Sequence, residues 1–228
     1  MTRRVLAKIL FSLVAAGSLT APALAQSGSA EVAGQSNAEH CELHIWAAQD
    51  FSSLPFGSGL APGLSMMFPG NLGQSTDEQF VTIASIDLQI DAIMRADPVT
   101  SLGLPQGTTV ITNAETEEAK TTKQRQARRA ASQTQCYYEL HITSSYLIED
   151  IVWGDRFSTA FDVRHYRGDA EWTFRHRGEG GNKLTVFPVK EDDDPAEVLR
   201  EVSEAIQANF VEYARKVKPR IERDGQRR

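Results

Sequence analysis

Residues 136–148 alternate between two kinds of side chain along their whole length, and this alternation restricts the fold more than any other feature. The polar set includes Glu139 and His141. The mostly apolar set is Cys136, Tyr138, Leu140, Ile142, Ser144, Tyr146 and Ile148. Because successive side chains of a strand point to opposite faces, the pattern predicts a long β-strand with one apolar face. Such a strand needs neighbouring strands and a second layer that covers this face.

A β-hairpin is predicted after this strand. Two alternating runs flank a Gly-Asp pair at residues 168–169, which is a two-residue turn signal, and the first run predicts a strand over residues 156–167. The turn places Asp162 opposite Arg175, and a cross-strand pair of opposite charge supports this register. The same register pairs Val163 with Phe174, His165 with Trp172 and Phe161 with His176.

The hairpin is followed by a glycine-rich stretch and a second apolar run. Gly178, Gly180 and Gly181 predict a turn, and residues 183–189 predict a further strand. Pro188 cannot donate a ladder hydrogen bond, so it indicates an edge position or a strand end.

A long amphipathic helix is predicted over residues 195–217. Asp194 can cap it, Pro195 suits the first helical position and Glu197 completes a capping box. The apolar stripe, at spacings of three and four, is Leu199, Val202, Ile206, Phe210, Tyr213 and Val217. We expect this helix to lie across the apolar face of the sheet and residues 219–228 to form a charged tail.

The chain contains two cysteines, Cys41 and Cys136. Each begins an alternating run that continues with Leu and Ile in the same phase, so both would lie on the buried face of a strand. We predict a disulfide between them, which would close a long loop and stabilise the fold by up to about 4–5 kcal/mol in the chain-entropy model. The alternatives are two separately buried thiols, or a metal site formed by His40, Cys41 and His44.

The middle of the chain is less regular. A helix is predicted over residues 77–96, although the alternation of residues 86–91 also fits a strand. A short strand is predicted at residues 110–111.

Residues 115–135 contain acids followed by bases and few large apolar side chains, which predicts an exposed helix or a loose charged excursion. Its basic cluster is typical of a solvated face.

Residues 51–76 contain no charged side chain and are rich in Gly and Pro, which predicts an irregular loop. The large apolar side chains of the loop that we take as candidate binding residues are Phe56, Leu60, Leu64, Met66, Met67 and Phe68. Met-rich apolar surfaces adapt to partners, so this loop could contact a protein partner or an apolar ligand. The alternative is a loop folded down over the core.

The N-terminus has the three parts of a cleavable secretory signal. Basic residues lead into an uncharged apolar stretch at residues 9–19, and Ala23 and Ala25 give the small-residue cleavage pattern. We therefore expect residues 1–25 to be a signal peptide, residues 26–38 a disordered leader, and the protein to be exported to a periplasm or secreted. No apolar run after the signal is long enough to span a membrane.

Charge argues against one class of partner. Loss of residues 1–25 removes three basic residues from the 24 of the chain and leaves 21 against 30 acidic ones, a net charge of −9. Nucleic-acid binding favours a basic surface, so we expect no nucleic-acid partner. The remaining residues 39–218 predict one α+β domain: a mainly antiparallel sheet covered on one face by one or two helices, including the long C-terminal one. This order of elements looks like that of small accessory domains of bacterial envelope complexes.

No known catalytic or cofactor-binding motif is present, so we assign no catalytic residue, no cofactor and no metal ligand. The acidic run at residues 191–194 lacks the spacing of a calcium loop and suits helix capping. His141, Glu139 and the Asp162–Arg175 pair would share one sheet face, which we interpret as a solvated face with ion pairs. We therefore predict an exported, non-enzymatic binding or accessory domain; the alternative is an exported hydrolytic enzyme with its site on that face.

Overall fold

The computed structural model describes residues 40–49, 51–55, 84–149, 156–168, 171–185 and 194–226. The predicted signal peptide, the predicted leader and most of the predicted binding loop lie outside these residues. The candidate binding residues outside them are Phe56, Leu60, Leu64, Met66, Met67 and Phe68. The predicted strand over residues 183–189 and the acidic run at 191–194 are described only at their ends.

Within the described residues, six strands form one sheet. They are β1 (Cys41–Trp46), β2 (Phe51–Pro55), β3 (Thr109–Asn113), β4 (Cys136–Glu149), β5 (Arg156–Arg167) and β6 (Trp172–Lys183). The order is β3-β1-β4-β5-β6, and β2 pairs with β4 beyond the end of β1. The long strands β4, β5 and β6 are antiparallel, whereas β1 and β2 run parallel to β4, and β3 runs parallel to β1.

The part of the chain that the structure describes also contains four helices: α1 (Ile86–Arg95), α2 (Pro98–Leu102), α3 (Ala119–Gln124) and α4 (Pro195–Gly225). Side chains from α1, α2 and α4 join those of the strands in one apolar core. The prediction of an α+β fold with a mainly antiparallel sheet and a long C-terminal helix is confirmed. The predicted strands over residues 156–167 and at 110–111 are also confirmed, the latter as β3.

Helix α4 begins as predicted and ends later. Asp194 accepts a hydrogen bond from the N–H of Ala196 at 2.9 Å, and Pro195 takes the first helical position. The stripe is correct except at its start, because Leu199 is 42% exposed and Val198 is buried instead. The predicted charged tail is wrong, because the helix continues through Pro219 to Gly225. Ile221 joins the core, and the Asp224 carboxylate lies 2.7 Å from His165.

A β-bulge at Thr143 corrects the predicted face of β4. Ile142 lies opposite Phe161, but Ser144 lies opposite Ala160, so the strand changes phase between them. The predicted apolar face of β4 is therefore correct up to Ile142. Beyond the bulge, Leu147 belongs to the core, and the predicted Tyr146 and Ile148 do not. A bulge adds one residue to one strand only, and the alternation of the sequence does not reveal it.

The register of the hairpin was predicted two residues away from the observed one. Val163 lies opposite His176 and Asp162 opposite Arg177, with an irregularity between His165 and Tyr166. A shift of two residues keeps each side chain on its predicted face. Asp162 and Arg175 therefore still meet, as diagonal neighbours.

The predicted turn at Gly178, Gly180 and Gly181 is wrong, because all three glycines lie inside β6. They are there because other groups approach this strand closely. A Cβ atom on Gly178 would lie 3.1 Å from the ring of Tyr213, and one on Gly181 would lie 2.4 Å from the guanidinium of Arg156. The glycines thus permit close packing within the strand.

Two predictions for the N-terminal half need correction. The helix predicted over residues 77–96 begins at Ile86, capped by the side chain of Ser85, and residues 77–83 lie outside the described ones. The acid-apolar alternation there is helical and not a strand. The start of the predicted irregular loop is a regular strand, since β2 occupies Phe51–Pro55.

The predicted disulfide is confirmed. Cys41 and Cys136 lie directly opposite each other at the start of β1 and β4, with their Cα atoms 4.6 Å apart, and are bonded. Because the sulfur of Cys41 is bonded to another cysteine, the alternative metal site with His40 and His44 is excluded.

Candidate functional site

The second face of the sheet is not the solvated face that the sequence indicated. Glu139, His141, Asp162 and Arg164 lie on it, and each is at most 1% exposed. The segment 119–134, which begins with α3, lies over them and takes part in their hydrogen bonds. The predicted charged excursion at residues 115–135 is therefore a packed cover for this face. We call the group of four buried residues the polar network.

Glu139 is the centre of one half of the network. Its carboxylate accepts hydrogen bonds from the hydroxyls of Tyr137 (3.1 Å) and Tyr166 (3.2 Å) and from the backbone N–H of Arg129 (2.6 Å). The Nε2 atom of His141 lies 2.9 Å from the same carboxylate. A carboxylate only accepts hydrogen bonds, so Nε2 carries the proton of this histidine.

Asp162 is the centre of the other half. Its carboxylate receives hydrogen bonds from Arg164 (3.0 Å) and Arg175 (3.0 Å), and Arg177 lies at 3.4 Å. These arginines also reach the covering segment: Arg175 and Arg177 donate to the backbone oxygen of Lys123 at 3.1 and 2.8 Å. Arg164 donates to the backbone oxygens of two residues of the same segment, Thr122 and Arg125.

The aromatic side chains of this face stack beside the network. His141 lies against Trp46 with ring centroids 4.8 Å apart, and the guanidinium of Arg129 lies 4.9 Å from the Trp46 ring. Arg128 covers Tyr137 in the same way, at 4.6 Å. Cation–π contacts of this kind hold the basic residues of the covering segment inward.

The charge states follow from burial and partners. Burial acts to raise the pKa of Glu139, but the hydrogen bond from His141 and the charge of Arg164 hold that pKa below its usual value. Burial lowers the pKa of His141, so its ring stays neutral. Burial raises the pKa of Tyr137, which stays protonated as a donor. The network is thus a set of paired charges inside the protein, which fixes the covering segment to the sheet.

A cleft lies on the other side of the sheet, where β1 ends and α1 begins. We call it the β1–α1 cleft; its volume is about 310 Å³. Its walls are Ala48, Gln49, Phe51, Ala84, Ser85, Ile86, Gln89, Thr116 and Ser145. The carboxyl ends of the parallel strands β1 and β3 meet at this edge of the sheet, where ligands of open α/β sheets are bound.

The side chain of Gln89 fixes the shape of the cleft. Its Oε1 atom accepts the N–H of Ala48 at 2.9 Å, and its Nε2 atom donates to the backbone oxygens of Ala48 (3.2 Å) and Ala84 (2.8 Å). Both polar atoms of this buried amide are therefore used within the protein. The chain leaving β1 and the chain entering α1 are held together, and the cleft is already formed.

Ser145 is the polar side chain of the cleft that has no such partner. It is 2% exposed, and its hydroxyl makes no hydrogen bond to any described residue. It lies opposite Phe51 in the β2–β4 register, and the Phe51 ring stacks on Phe157 at 6.0 Å. A buried hydroxyl without a partner is costly, so its presence in a cleft wall indicates a site for a hydrogen-bonding ligand group.

A second cavity, of about 480 Å³, lies between α1 and α4. Four of its wall residues are charged: Asp91, Arg95, Arg200 and Glu204. Arg200 pairs with Glu204 at 3.0 Å, and Arg95 donates to Ser203. Arg95, Arg200 and Glu204 thus have partners in the protein, and we take the β1–α1 cleft as the better candidate site.

The sequence predicted the segment that borders this cleft but not the cleft itself. Phe51, the first residue of the predicted loop, is one of its walls. Ser145 was missed because the predicted phase of β4 placed it on the polar face, and the Thr143 bulge turns it to the other side. Within the described residues, no three His, Cys, Asp or Glu side chains are arranged to hold a metal ion. No helix in these ranges has the length and hydrophobicity needed to cross a bilayer.

Comparison with known proteins gives few matches. No protein-family model and no curated protein matches the chain. Among solved structures, the chain is similar to the hypothetical protein CT253 from Chlamydia trachomatis, with 10% sequence identity and a TM-score of 0.33. The match covers 80% of this chain and 96% of that one.

Proposed function

We propose that this protein is an exported, non-enzymatic binding domain that takes an apolar ligand into the β1–α1 cleft. The observation that carries the proposal is the cleft itself, about 310 Å³ in volume. Its described walls include the apolar Ala48, Phe51, Ala84 and Ile86 and the hydroxyl of Ser145, which makes no hydrogen bond to a described residue. Small-molecule sites in proteins are typically formed in advance, mostly apolar and equipped with a few polar groups.

Export is supported by two independent features. The N-terminal residues have the charge and hydrophobicity pattern of a secretory signal. The only two cysteines of the chain form the Cys41–Cys136 disulfide, and structural disulfides persist mainly in oxidising compartments. A protein of this kind would meet its ligand or partner in a periplasm or outside the cell.

A hydrolytic enzyme is the weaker alternative. The acid and base groups that such an enzyme would use, Glu139 and His141, bind each other and the covering segment. Neither residue is among the walls of the two cavities described above. A general acid or base must reach its substrate within hydrogen-bond distance, directly or through one water.

The test is a titration of the mature protein, residues 26–228, with 1-octanol, followed by calorimetry and by amide chemical shifts. We expect saturable binding with shifts at Ala48, Ala84 and Ile86. Ala84→Leu, which fills the cleft, should weaken binding at least tenfold. Ala196→Leu adds the same atoms to the cavity between α1 and α4, serves as the control, and should bind like the wild type.

Two results would overturn this proposal. One is the absence of saturable binding to the wild-type protein; the other is equal binding by the Ala84→Leu variant, provided that its amide spectrum shows an intact fold. Shifts confined to α4 would place the ligand in the other cavity and contradict the assignment as well.

A further inference from the structure

We propose that the ligand of the β1–α1 cleft is a medium-chain carboxylic acid whose carboxylate binds the Ser145 hydroxyl and the first N–H groups of α1. This inference rests on the proposed function and adds the chemistry of the ligand's polar end. Three features of the cleft carry it: a buried hydroxyl that makes no hydrogen bond to a described residue, the N-terminus of α1, and the volume of the cleft.

The Ser145 hydroxyl supplies the first contact. The side chain is 2% exposed, lines the cleft, and makes no hydrogen bond to any described residue. The neighbouring polar side chain in the cleft, that of Gln89, is fully occupied by the backbone of Ala48 and Ala84. A polar atom that reaches the serine hydroxyl would therefore not compete with a hydrogen bond already made there.

The N-terminus of α1 supplies the second contact. Ser85 accepts the N–H of Leu88 at 3.3 Å through its side chain and the N–H of Gln89 at 3.0 Å through its backbone oxygen. The first N–H groups of a helix, here those of Ile86 and Asp87, have no acceptor within the helix, and Ile86 lines the cleft. Free N–H groups at a helix start, with the partial positive charge of the helix, favour an anionic acceptor.

None of the described wall residues of the cleft is charged, and the mature chain, with 21 basic and 30 acidic residues, has a net charge of −9. The long-range field of the protein therefore favours cations over anions. If an alkyl carboxylate binds more tightly than an alkylammonium ion of the same chain length, the preference must come from local donors such as Ser145 and the N-terminus of α1.

The volume indicates how much of a ligand the cleft can enclose. A water molecule occupies about 30 Å³ in the liquid, and we take the same volume for each non-hydrogen atom of a ligand. On this basis the cleft encloses roughly ten such atoms. Octanoate is an acid of this size. The apolar walls Ala48, Phe51 and Ala84 would surround its methylene groups.

The experiment compares octanoate with octylammonium on the mature protein by calorimetry and amide chemical shifts. We expect octanoate to bind at least tenfold more tightly, with the largest shifts at Ser145, Ile86 and Asp87. Ser145→Ala should weaken octanoate about fivefold and leave octylammonium unchanged. Ser144→Ala is the matched control, because Ser144 lies on the opposite face of β4.

The outcomes separate the two proposals. If octanoate and octylammonium bind equally well, or if Ser145→Ala binds octanoate like the wild type, the carboxylate inference is wrong while the cleft remains an apolar binding site. If neither compound nor 1-octanol binds there, the proposed function itself fails. Methyl octanoate, which keeps the acceptor but not the charge, should bind between the two ions; binding equal to octanoate would contradict the role of charge.

Discussion

The chain of β6 passes so close to helix α4 that a Cβ atom on Gly180 would lie 2.0 Å from the backbone oxygen of Asn209. Backbone cannot move aside as a side chain can. We therefore predict that Gly180→Ala lowers the free energy of unfolding by about 3 kcal/mol, the upper part of the range for overpacked cores. Urea denaturation measures this. Gly225→Ala, where an added Cβ meets nothing within 4 Å, is the control and should change stability by less than about 0.5 kcal/mol.

The disulfide gives a second prediction. The bond joins residues 95 positions apart, so it restricts the unfolded chain strongly. Replacing both cysteines with alanine should lower the free energy of unfolding by about 2–4 kcal/mol. Mass spectrometry checks the bond itself, since the mature protein should take up two alkyl groups only after reduction. Uptake without reductant would show free thiols and contradict the structure.

Stability should fall between pH 7 and pH 5 because of His141. Burial lowers the pKa of this histidine in the folded protein, so the unfolded chain binds its proton first. The contribution of His141 to the free energy of unfolding is complete above the usual histidine pKa of about 6.5. It is lost as the pH falls toward the lowered pKa that His141 has in the folded protein. His141→Gln should reduce the loss by about 1 kcal/mol.

A second histidine, His176, also contributes to the pH dependence of stability. Burial and the nearby Arg220 also lower the pKa of His176, so part of the pH dependence will remain in the His141→Gln variant. Urea denaturation at half-unit pH steps gives both slopes. Identical slopes for the wild type and His141→Gln would show that His141 does not titrate as proposed.

Removal of the charge of Asp162 should strongly lower the free energy of unfolding. Burial acts to raise its pKa, but hydrogen bonds from Arg175 and Arg164 hold the pKa below its usual value, so the carboxylate is charged. Asp162→Asn removes the nearer of the two anions beside the buried Arg164, leaving Glu139 at 3.8 Å, and should cost about 3–5 kcal/mol. Asp91→Asn, on the exposed side of α1, should change stability by less than about 0.5 kcal/mol. A small effect at Asp162 would mean that water solvates this pair.

The sequence predicted best the elements whose apolar residues recur at a regular spacing and whose ends are marked by particular residue types. Helix α4 is one, because Asp194 and Pro195 define its start and its apolar spacing is regular. The pairing of Cys41 with Cys136 is another, because only two cysteines exist and both fell on an apolar phase. Strand β5 and the faces of the hairpin were found for the same reason.

The rest depends on contacts between distant parts of the chain. The glycines of β6 have turn composition, and only the approach of Asn209 and Tyr213 explains them as strand residues. The bulge at Thr143, which places Ser145 in the cleft, leaves no trace in the alternation. Polarity alone also cannot distinguish a solvated sheet face from one covered by hydrogen-bonded backbone.

The way in which the covering segment is held has a consequence for recognising relatives of this protein. Arg164, Arg175 and Arg177 bind backbone oxygens of Thr122, Lys123 and Arg125, and every residue type carries such an oxygen. Substitutions within the segment can therefore accumulate as long as its path is kept, whereas Asp162 and its arginines must be inherited together. A search pattern built on the strand residues should find distant homologues that a pattern built on the segment would miss.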